Sequence, residues 1–232
     1  MHINAKIERP LQEKGIEFTT SPPIVVYRET IRGVSPECEG VSSNRHNRFY
    51  FSVEPVEDEV YHAMTSGKIR TDNIRKYLKE MIPKFVEYGM SRDEARNIID
   101  IHNNNILLDM TKGIQYLHET IELITTAFQN VMDAGSLSKE PCVGIKVKLI
   151  DVKLHEDAIH RGPAQVYPAV SDALKECISR AKPTLLEPVQ TIRIDVPEEL
   201  MGSALSQVQN RRGQVIDMQT ELGAAIVKAK LP

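Results

Sequence analysis

The chain has 232 residues, of which 41% are hydrophobic and 26% are charged, and its formal net charge is −3 at pH 7. No run of residues approaches the roughly 18 apolar residues that a membrane-spanning helix needs, and the first residues do not resemble a signal peptide, so we expect a cytoplasmic protein. The negative charge argues against a protein that coats nucleic acid by bulk electrostatics, and the absence of Trp argues against base-stacking platforms. The three cysteines show no CxxC spacing, which predicts buried free thiols in a reducing compartment.

The first quarter of the chain predicts one helix and two strands. Apolar residues recur every four positions over residues 3–11 and Gly15 is a suitable helix stop. Pro22 and Pro23 interrupt a strand-like run, which is typical of a crossing between domains. Two strand candidates follow, VVYRETI and FYFSVEP, and we expect the charged turn SSNRHNR to separate them.

The middle of the chain predicts helices around one strand. A helical stretch over about 57–87 has apolar residues every four positions, and SRDEARNII predicts a short helix with a capping box formed by Ser91 and Glu94. The segment NILLDMTKG predicts a strand. QYLHETIELITTAFQNVMDAG has one apolar face, which predicts an amphipathic helix that Gly135 ends.

The segment CVGIKVKLIDVKL predicts a long strand with an irregularity. Its apolar residues alternate from Val143 to Leu149 and then alternate in the opposite phase from Ile150 to Leu154. Because side chains of a strand repeat every two residues, this change of phase predicts a bulge or bend midway. At roughly 3.3 Å per residue the strand would reach about 40 Å, so we expect its far end to protrude. A helix with Pro168 in its first turn follows.

The last quarter predicts a separate unit. AKPTLLEPVQ has the composition of a domain boundary, and the residues after it follow the pattern strand, helix, strand, strand. Pro197 is expected to open the helix, Gly213 to follow its end, and Leu222-Gly223 to form a hairpin turn. Such a β-α-β-β unit leaves a sheet without its second crossover, so we expect a truncated unit and a chain excised from a larger protein.

The loop LHEDAIHRGPAQ at residues 154–165 contains the residues with the clearest chemical interest. HEDAIH resembles the zinc-binding pattern HExxH, in which two histidines four residues apart share a helix face. His155 and His160 are five residues apart, roughly 140° around a helix, so their rings would point away from each other. Gly162 and Pro163 also argue against a helix here. The spacing therefore argues against a metal site.

General acid-base chemistry is an alternative interpretation of the same loop, because a carboxylate beside a histidine stabilises its charged form. His160 and Glu156 would then supply acid and base, but no nucleophile motif accompanies them. The sequence contains neither GxxxxGK[ST] nor GxGxxG, so it has no recognisable nucleotide site. From the residues alone, we expect His160 to be exposed on a protruding loop with Arg161 beside it.

Motifs along the whole chain occur in a characteristic order. They are VVYRETI, NRHNRFY, NILLDMTKG followed by QYL, LHEDAIHRGPAQ, and EPV, PEELMG and NRRG in the last unit. Together they resemble the elongation factor 2 family of archaeal and eukaryotic ribosomal translocases, from the end of its third domain into its fifth. Asp-Ala-Ile-His-Arg-Gly followed by Gln matches the diphthamide loop of that family. Pro163 and Ala164 stand where eukaryotic members carry glycines, so the loop shape is expected to differ.

The resemblance implies an α+β fold in three parts. Residues 1–22 would be the tail of a third domain, residues 23–185 an S5-like two-layer α/β fourth domain, and residues 186–232 a truncated, ferredoxin-like βαββ part of a fifth domain. The GTPase domain would lie outside this segment, so GTP and magnesium are expected only there. For this chain, the resemblance implies no catalytic residue, no cofactor and no metal.

The resemblance also implies a site. His160 corresponds to the histidine that is converted to diphthamide, at a tip that enters the decoding region of the ribosome during translocation. The arginines of the tip would contact phosphates, and the glycine would permit close approach of the backbone. The residues expected to contact ribosome or tRNA are Asp157, Arg161 and Gly162 in one loop and Arg45, His46, Asn47 and Arg48 in the other.

The partners implied are the ribosome with its small-subunit rRNA, tRNA and mRNA, the diphthamide-modifying enzymes, and ADP-ribosylating toxins that act with NAD at modified His160. A monomer without membrane contact is expected. The alternative is a small-molecule or metal-dependent enzyme that uses His160 and Glu156 as acid and base. The two hypotheses differ in geometry, because the enzyme needs an enclosed pocket around His160 and the translocase needs an exposed tip.

Overall fold

The computed structural model describes residues 24–221 and 223–232, and these divide into two compact units. The larger unit is Tyr27–Glu187, and Pro188–Pro232 belongs to the smaller unit. The helix predicted over residues 3–15, the crossing at Pro22-Pro23 and the residue Leu222 of the predicted turn lie outside the described residues. No helix among the described residues is long and apolar enough to cross a membrane.

A five-stranded mixed sheet forms the centre of the larger unit. Its strand order is β2-β3-β6-β5-β4, in which β5 and β6 are parallel and the other neighbours are antiparallel. A separate antiparallel pair joins β1 to β7. The strands are β1 Arg28–Ile31, β2 Cys38–Val41, β3 Arg48–Pro55, β4 Ile98–His102, β5 Asn105–Asp109, β6 Ile145–Lys153 and β7 Pro183–Leu186.

Five helices of the larger unit pack on the two faces of this sheet. They are α1 Asp58–Thr65, α2 Ile74–Glu87, α3 Arg92–Arg96, α4 Leu117–Asp133 and α5 Pro163–Arg180. Successive side chains of a strand point to opposite faces, and β5 shows this directly. Leu107 packs in the cluster that α4 and α5 share with β3 and β6, whereas Ile106 and Leu108 pack in the cluster of α1, α2 and α3. The two clusters therefore lie on opposite faces of the sheet.

The bulge predicted in the long strand is confirmed. Tyr50 of β3 pairs with Asp151, and the next residue, Phe51, pairs with Leu149, so Ile150 has no opposite residue. The strands β3 and β5, the amphipathic helix α4 and the capping box of α3 are confirmed as well. The Ser91 hydroxyl accepts a hydrogen bond from the Glu94 amide, as the capping box requires.

Several predicted boundaries are wrong. The strand β2 precedes the charged turn and was not predicted, because its four residues, CEGV, include Gly and Glu. The helical stretch over 57–87 is two helices, and Gly67, with φ of 76°, lies in the interruption. The helix expected to start near Pro168 starts at Pro163, since a proline fits the first position, where the amide has no helical partner.

Gly40 and Gly135 allow two close approaches of the backbone. A Cβ atom on Gly40 would lie 2.0 Å from the Ala169 carbonyl oxygen, so β2 directly contacts α5. A Cβ atom on Gly135 would lie 2.2 Å from the Glu29 carboxylate. That buried carboxylate accepts hydrogen bonds from the amides of Leu137 (2.9 Å) and Ser138 (2.7 Å). Gly135 is thus required by the Glu29 contact, while α4 already ends at Asp133.

A buried lysine joins the sheet to two helices. Lys146 of β6 is 1% exposed, and its Nζ lies 2.9 Å from Glu54, 2.5 Å from Glu57 and 3.3 Å from Glu94. Lys148 contacts Glu54 at 2.9 Å and Glu94 at 2.7 Å. Burial lowers the pKa of Lys146, but the hydrogen bonds that its ammonium donates to Glu54 and Glu57 outweigh burial and raise the pKa. Glu57 precedes α1 and Glu94 lies in α3, so one ionic cluster fixes both helices.

The three cysteines are free and buried, as predicted. Burial raises the pKa of the Cys142 and Cys177 thiols to about 12. The Cys177 thiol donates to the Phe51 carbonyl oxygen at 3.3 Å. At neutral pH both thiols are therefore protonated, which makes them poor nucleophiles and poor metal ligands.

The smaller unit has the predicted order of strand, helix, strand, strand. Its strands form one antiparallel sheet in the order β8-β10-β9, with β10 in the centre. The alternate residues Ala225, Val227 and Ala229 of the central strand are buried, as is Val208 of the helix. The elements are β8 Gln190–Pro197, α6 Met201–Asn210, β9 Gln214–Glu221 and β10 Ala224–Leu231.

We predict that Lys146→Met destabilises the chain by up to about 3–5 kcal/mol, because it removes the buried cation shared by three partly buried carboxylates and leaves Lys148 alone to pair with Glu54 and Glu94. Burial raises the pKa of Glu54 and Glu94, but the hydrogen bonds and charges of the two lysines outweigh it and lower both pKa values below the ordinary 4.5. Carboxyls with lowered pKa stabilise the fold above pH 4.5, and this contribution is lost as the pH falls through their folded pKa. Lys146→Met should therefore also weaken the loss of stability at acidic pH.

Urea denaturation between pH 3 and pH 7 measures both effects. The matched control is Arg70→Met, which breaks the exposed Arg70–Asp72 pair (45% and 62% exposed). Exposed pairs contribute about 0–1 kcal/mol, so the control should change the free energy of unfolding little. Equal effects of the two variants would contradict a stabilising role of the buried cluster.

Candidate nucleic-acid interface

Two loops lie side by side at one end of the five-stranded sheet. The turn Ser42–Asn47 leads into β3, and the loop Leu154–Gly162 follows β6. Because β3 and β6 are antiparallel and Arg48 pairs with Lys153, the start of one strand and the end of the other lie at the same edge. We call these two loops together the tip.

Asparagine side chains join the two loops of the tip. The side-chain Nδ2 of Asn47 donates to the His160 carbonyl oxygen at 2.7 Å, and its side-chain Oδ1 accepts from the His155 backbone amide at 3.1 Å. The Asn44 side chain donates to the same carbonyl at 3.1 Å, and the Asn44 backbone amide donates to the Gln165 side chain at 3.0 Å. Asn47 is 0% exposed, so these contacts are shielded from water. The backbone of His160 is therefore fixed by the neighbouring turn.

The turn has a fixed shape of its own. The Ser42 hydroxyl accepts from the Asn47 backbone amide at 3.0 Å, and the Asn44 side-chain oxygen accepts from the His46 backbone amide at 3.1 Å. Arg45 has φ of 60°, a left-handed conformation that is uncommon for residues other than Gly, Asn and Asp. This geometry directs Arg45 and His46 to solvent, and both are exposed.

Three imidazole rings meet at the tip. The ring centroids of His155 and His160 lie 4.6 Å apart, and His46 lies 4.8 Å and 4.9 Å from them. The Asp157 amide donates to Nδ1 of His155 at 3.1 Å, so the proton of a neutral His155 ring is on Nε2. Among the described residues, no group of three or more His, Cys, Asp or Glu side chains has an arrangement that could hold a metal ion.

His160 lies in a single 3-10 turn, Ala158–Arg161, rather than in an α-helix. Asp157 caps this turn, since its carboxylate accepts from the Ile159 amide at 3.0 Å. Ile159 is 78% exposed, and His160 is half-buried against the other two histidines. The tip therefore presents an apolar side chain and imidazole edges to its surroundings.

Arg161 lies elsewhere than the sequence predicts. It is 6% exposed, its Nη2 lies 3.0 Å from the Glu119 carboxylate, and its guanidinium lies 4.5 Å from the centre of the Tyr116 ring. His160, expected to be exposed, is half-buried, and two residues predicted to contact ribosome or tRNA, Arg161 and Asn47, are buried. Tyr116 and Glu119 are distant in the chain, and no local pattern pairs them with Arg161. Tyr116 is, however, part of QYL, one of the motifs on which the family resemblance rests.

The other residues predicted to contact ribosome or tRNA differ in exposure and in whether they already have a partner. Arg48 is exposed but lies 2.6 Å from the Glu39 carboxylate. Hydrogen bonds from Arg48 and Tyr50 to that carboxylate lower the pKa of Glu39. Gly162 has open space where a Cβ atom would lie, so the fold itself does not require glycine there. Asp157 is exposed. Of the three arginines predicted to contact ribosome or tRNA, Arg48 and Arg161 form ion pairs, and Arg45 has none among the described residues.

Three cavities in the described part of the chain lie away from His160. One of about 500 Å³ is lined by residues around Arg75 and Gln129, and one of about 420 Å³ by residues around His62 and Tyr88. A third, of about 480 Å³, lies in the smaller unit. Neither His160 nor Glu156 lines any of these three.

Comparisons with known proteins were made on the whole chain. The family model of elongation factor G, domain IV, matches residues 60–182, and that of the elongation factor G C-terminus matches residues 184–232. The chain is 50% identical to Elongation factor 2 of Methanococcoides burtonii, 46% to that of Archaeoglobus fulgidus and 44% to that of Methanosphaera stadtmanae. Each match covers 100% of this chain but only 31–32% of the relative, so the chain spans about a third of the length of the curated relatives it matches.

We predict that Asn47→Ala weakens the link between the two loops of the tip. It leaves the backbone amide of the half-buried His155 without its acceptor, and an unsatisfied polar group costs up to about 1–3 kcal/mol when it is buried. Hydrogen exchange should show faster exchange of the His155 amide, while amides of the central strands remain protected. Asn130→Ala, at an exposed position of α4, is the matched control and should leave the tip unchanged. An unchanged His155 exchange rate in Asn47→Ala would refute the bridging role.

Proposed function

The chain belongs to the elongation factor G domain IV family, and we propose that it is the part of an elongation factor 2 whose tip enters the decoding region of the ribosome during GTP-dependent translocation. The observation that carries this proposal is the tip itself, in which two loops joined by buried asparagines present Arg45, His46 and Ile159 to solvent. Two loops held together in this way at one edge of a sheet suit insertion between RNA strands. The proposed partners are small-subunit rRNA, tRNA and mRNA.

The contacts with RNA would be phosphate contacts from Arg45 and Arg48. Arginines bind phosphate oxygens through their planar donors, and such contacts position a protein without reading base sequence. Arg45 has no ion pair to give up among the described residues. Arg48 would exchange Glu39 for a phosphate, and because an exposed ion pair contributes only about 0–1 kcal/mol, this exchange costs little. With a net charge of −3, binding depends on these local charges.

His160 is the proposed diphthamide site. Its backbone is fixed by Asn44 and Asn47, and its half-buried ring lies at one edge of the five-stranded sheet. The modification would add a bulky cationic extension, suited to probing an RNA minor groove. The modifying enzymes, and ADP-ribosylating toxins that act with NAD at the modified residue, are further proposed partners. We propose a cytoplasmic monomer.

The proposed domain organisation follows from the same family. Residues 1–22 would end a third domain, residues 23–185 would form an S5-like fourth domain, and residues 186–232 a ferredoxin-like βαββ part of a fifth domain. The division of the described chain between Glu187 and Pro188 and the order of strand, helix, strand, strand in the smaller unit support this organisation. GTP and magnesium would bind a separate GTPase domain of the whole factor.

The alternative function, an enzyme that uses His160 and Glu156 as acid and base, needs an enclosed pocket. Neither residue lines the three cavities of about 420–500 Å³, and Glu156 is exposed. Its backbone carbonyl, rather than its carboxylate, faces Arg161 at 3.4 Å. This geometry supports the ribosomal role over the enzymatic one.

We predict that Arg45→Glu with Arg48→Glu in the whole factor slows translocation by roughly tenfold or more, because two phosphate contacts become repulsions. Rapid kinetics of mRNA movement on the ribosome measures the effect, which should shrink as salt concentration rises. Arg70→Glu with Lys79→Glu reverses two exposed charges outside the tip and is the matched control. Wild-type kinetics of the tip variant would remove Arg45 and Arg48 from the interface.

A further inference from the structure

Arg161 is buried although it is part of the exposed tip. Its side chain is 5% exposed, and two of its nitrogens, Nε and Nη1, have no hydrogen-bond partner among the described residues. A buried guanidinium with unpaired donors lowers stability unless other contacts compensate. Since Arg161 directly follows His160, we ask which role other than packing its burial serves.

The contacts of Arg161 connect the loop to α4. The Glu119 carboxylate pairs with Nη2 at 3.0 Å, and the Tyr116 ring faces the guanidinium at 4.5 Å, a distance typical of cation–π contacts. Both partners lie at the start of α4, where Leu117 and Thr120 are buried in the core. Through these contacts, the residue that follows His160 is held against a rigid helix.

The remaining freedom of His160 is small. Its carbonyl oxygen accepts from Asn44 and Asn47, and its amide donates to the Asp157 carbonyl oxygen at 3.1 Å. With Arg161 also anchored, the backbone on both sides of the His160 Cα atom is fixed. Only the side-chain torsions remain, and the rings of His46 and His155 limit these.

We propose that Arg161 is a positioning residue for His160, and that the enzyme which modifies His160 recognises the folded tip together with α4 rather than the linear sequence of the loop. This inference rests on the proposed modification of His160. Three separate parts of the chain, the turn Ser42–Asn47, the start of α4 and the loop Leu154–Gly162, would then define the substrate. Arg161 would act from inside the fold and not as a phosphate contact.

The test compares variants of Arg161 and of its partner in the whole factor, expressed in archaeal cells that carry the modification pathway. Arg161→Met keeps the volume and removes the charge, Arg161→Lys keeps the charge without the planar group, and Glu119→Gln changes the partner from outside the loop. Arg180→Met removes an exposed arginine at the far end of α5 and is the control. Trypsin releases the His160 peptide from Leu154, ending at residue 161 or, in the Met variant, at Lys175.

The measured quantity is the fraction of that peptide that carries a mass shift on His160. We expect it to fall roughly tenfold or more in Arg161→Met, because small misplacements of a reacting group cost up to about a hundredfold in rate. Smaller losses are expected for Arg161→Lys and Glu119→Gln, and none for Arg180→Met. Wild-type modification of all three variants, Arg161→Met, Arg161→Lys and Glu119→Gln, would overturn the inference. If Arg161→Met does not fold, the modified fractions of Arg161→Lys and Glu119→Gln test the inference.

A second measurement separates this inference from the proposed modification. In the unmodified 232-residue chain, NMR of the imidazole rings reports the surroundings of His160 directly. Arg161→Met should shift the His160 ring signals toward those of a free histidine, while Arg180→Met leaves them in place. If wild-type His160 proves unmodified in cells, the proposed modification fails, and this shift alone decides the positioning role. Unchanged His160 signals in a folded Arg161→Met chain would overturn it.

Discussion

The antiparallel pairing of β3 with β6 is the constraint on which the site depends. It sets the start of β3 beside the end of β6, so two loops more than a hundred residues apart in the chain form one tip. The bulge at Ile150 lies within this pairing, three residues before the end of β6, and bulges increase local twist and redirect the strand. The buried Asn47 then converts this proximity into fixed geometry, because an amide can donate to one loop segment and accept from another.

Three charged residues of the larger unit, Glu29, Lys146 and Arg161, are buried and make their contacts inside the fold. Lys146 and Lys148 connect β6 to β3, α1 and α3, Glu29 holds the segment after α4, and Arg161 holds the His160 loop. Removing one partner of such a buried group leaves the other without its counterion, which destabilises the fold. Because Arg161 is buried, Arg45 is the exposed arginine of the tip that has no ion pair among the described residues. An interface with so few free charges depends on the shape of the tip and on the exposed His46, Ile159 and half-buried His160.

The fold could be predicted where the pattern is local. A change of alternation located the bulge at Ile150, an apolar face located α4, and Ser91 with Glu94 located the start of α3. Short polar strands such as β2 carry no comparable pattern. The burial of Arg161 and Asn47 could not be predicted, because their partners lie in segments that only the tertiary fold brings together. The motif residues Glu29 and Tyr116 prove to make such long-range contacts, Glu29 with the segment after α4 and Tyr116 with Arg161, so the family resemblance contained information that periodicity did not.

The central claim is that the tip, and not another surface, faces the decoding region. A photoreactive amino acid in place of Ile159, which is 78% exposed at the tip, tests it in the whole factor stalled on the ribosome. Val34 is 65% exposed and lies at the opposite end of β3, where the Ser35 amide donates to Val53, so it serves as the control position. Crosslinks from residue 159 to small-subunit rRNA or tRNA of the decoding region, without equivalent ones from residue 34, are predicted. Crosslinks to that region from residue 34 alone would contradict the proposed function.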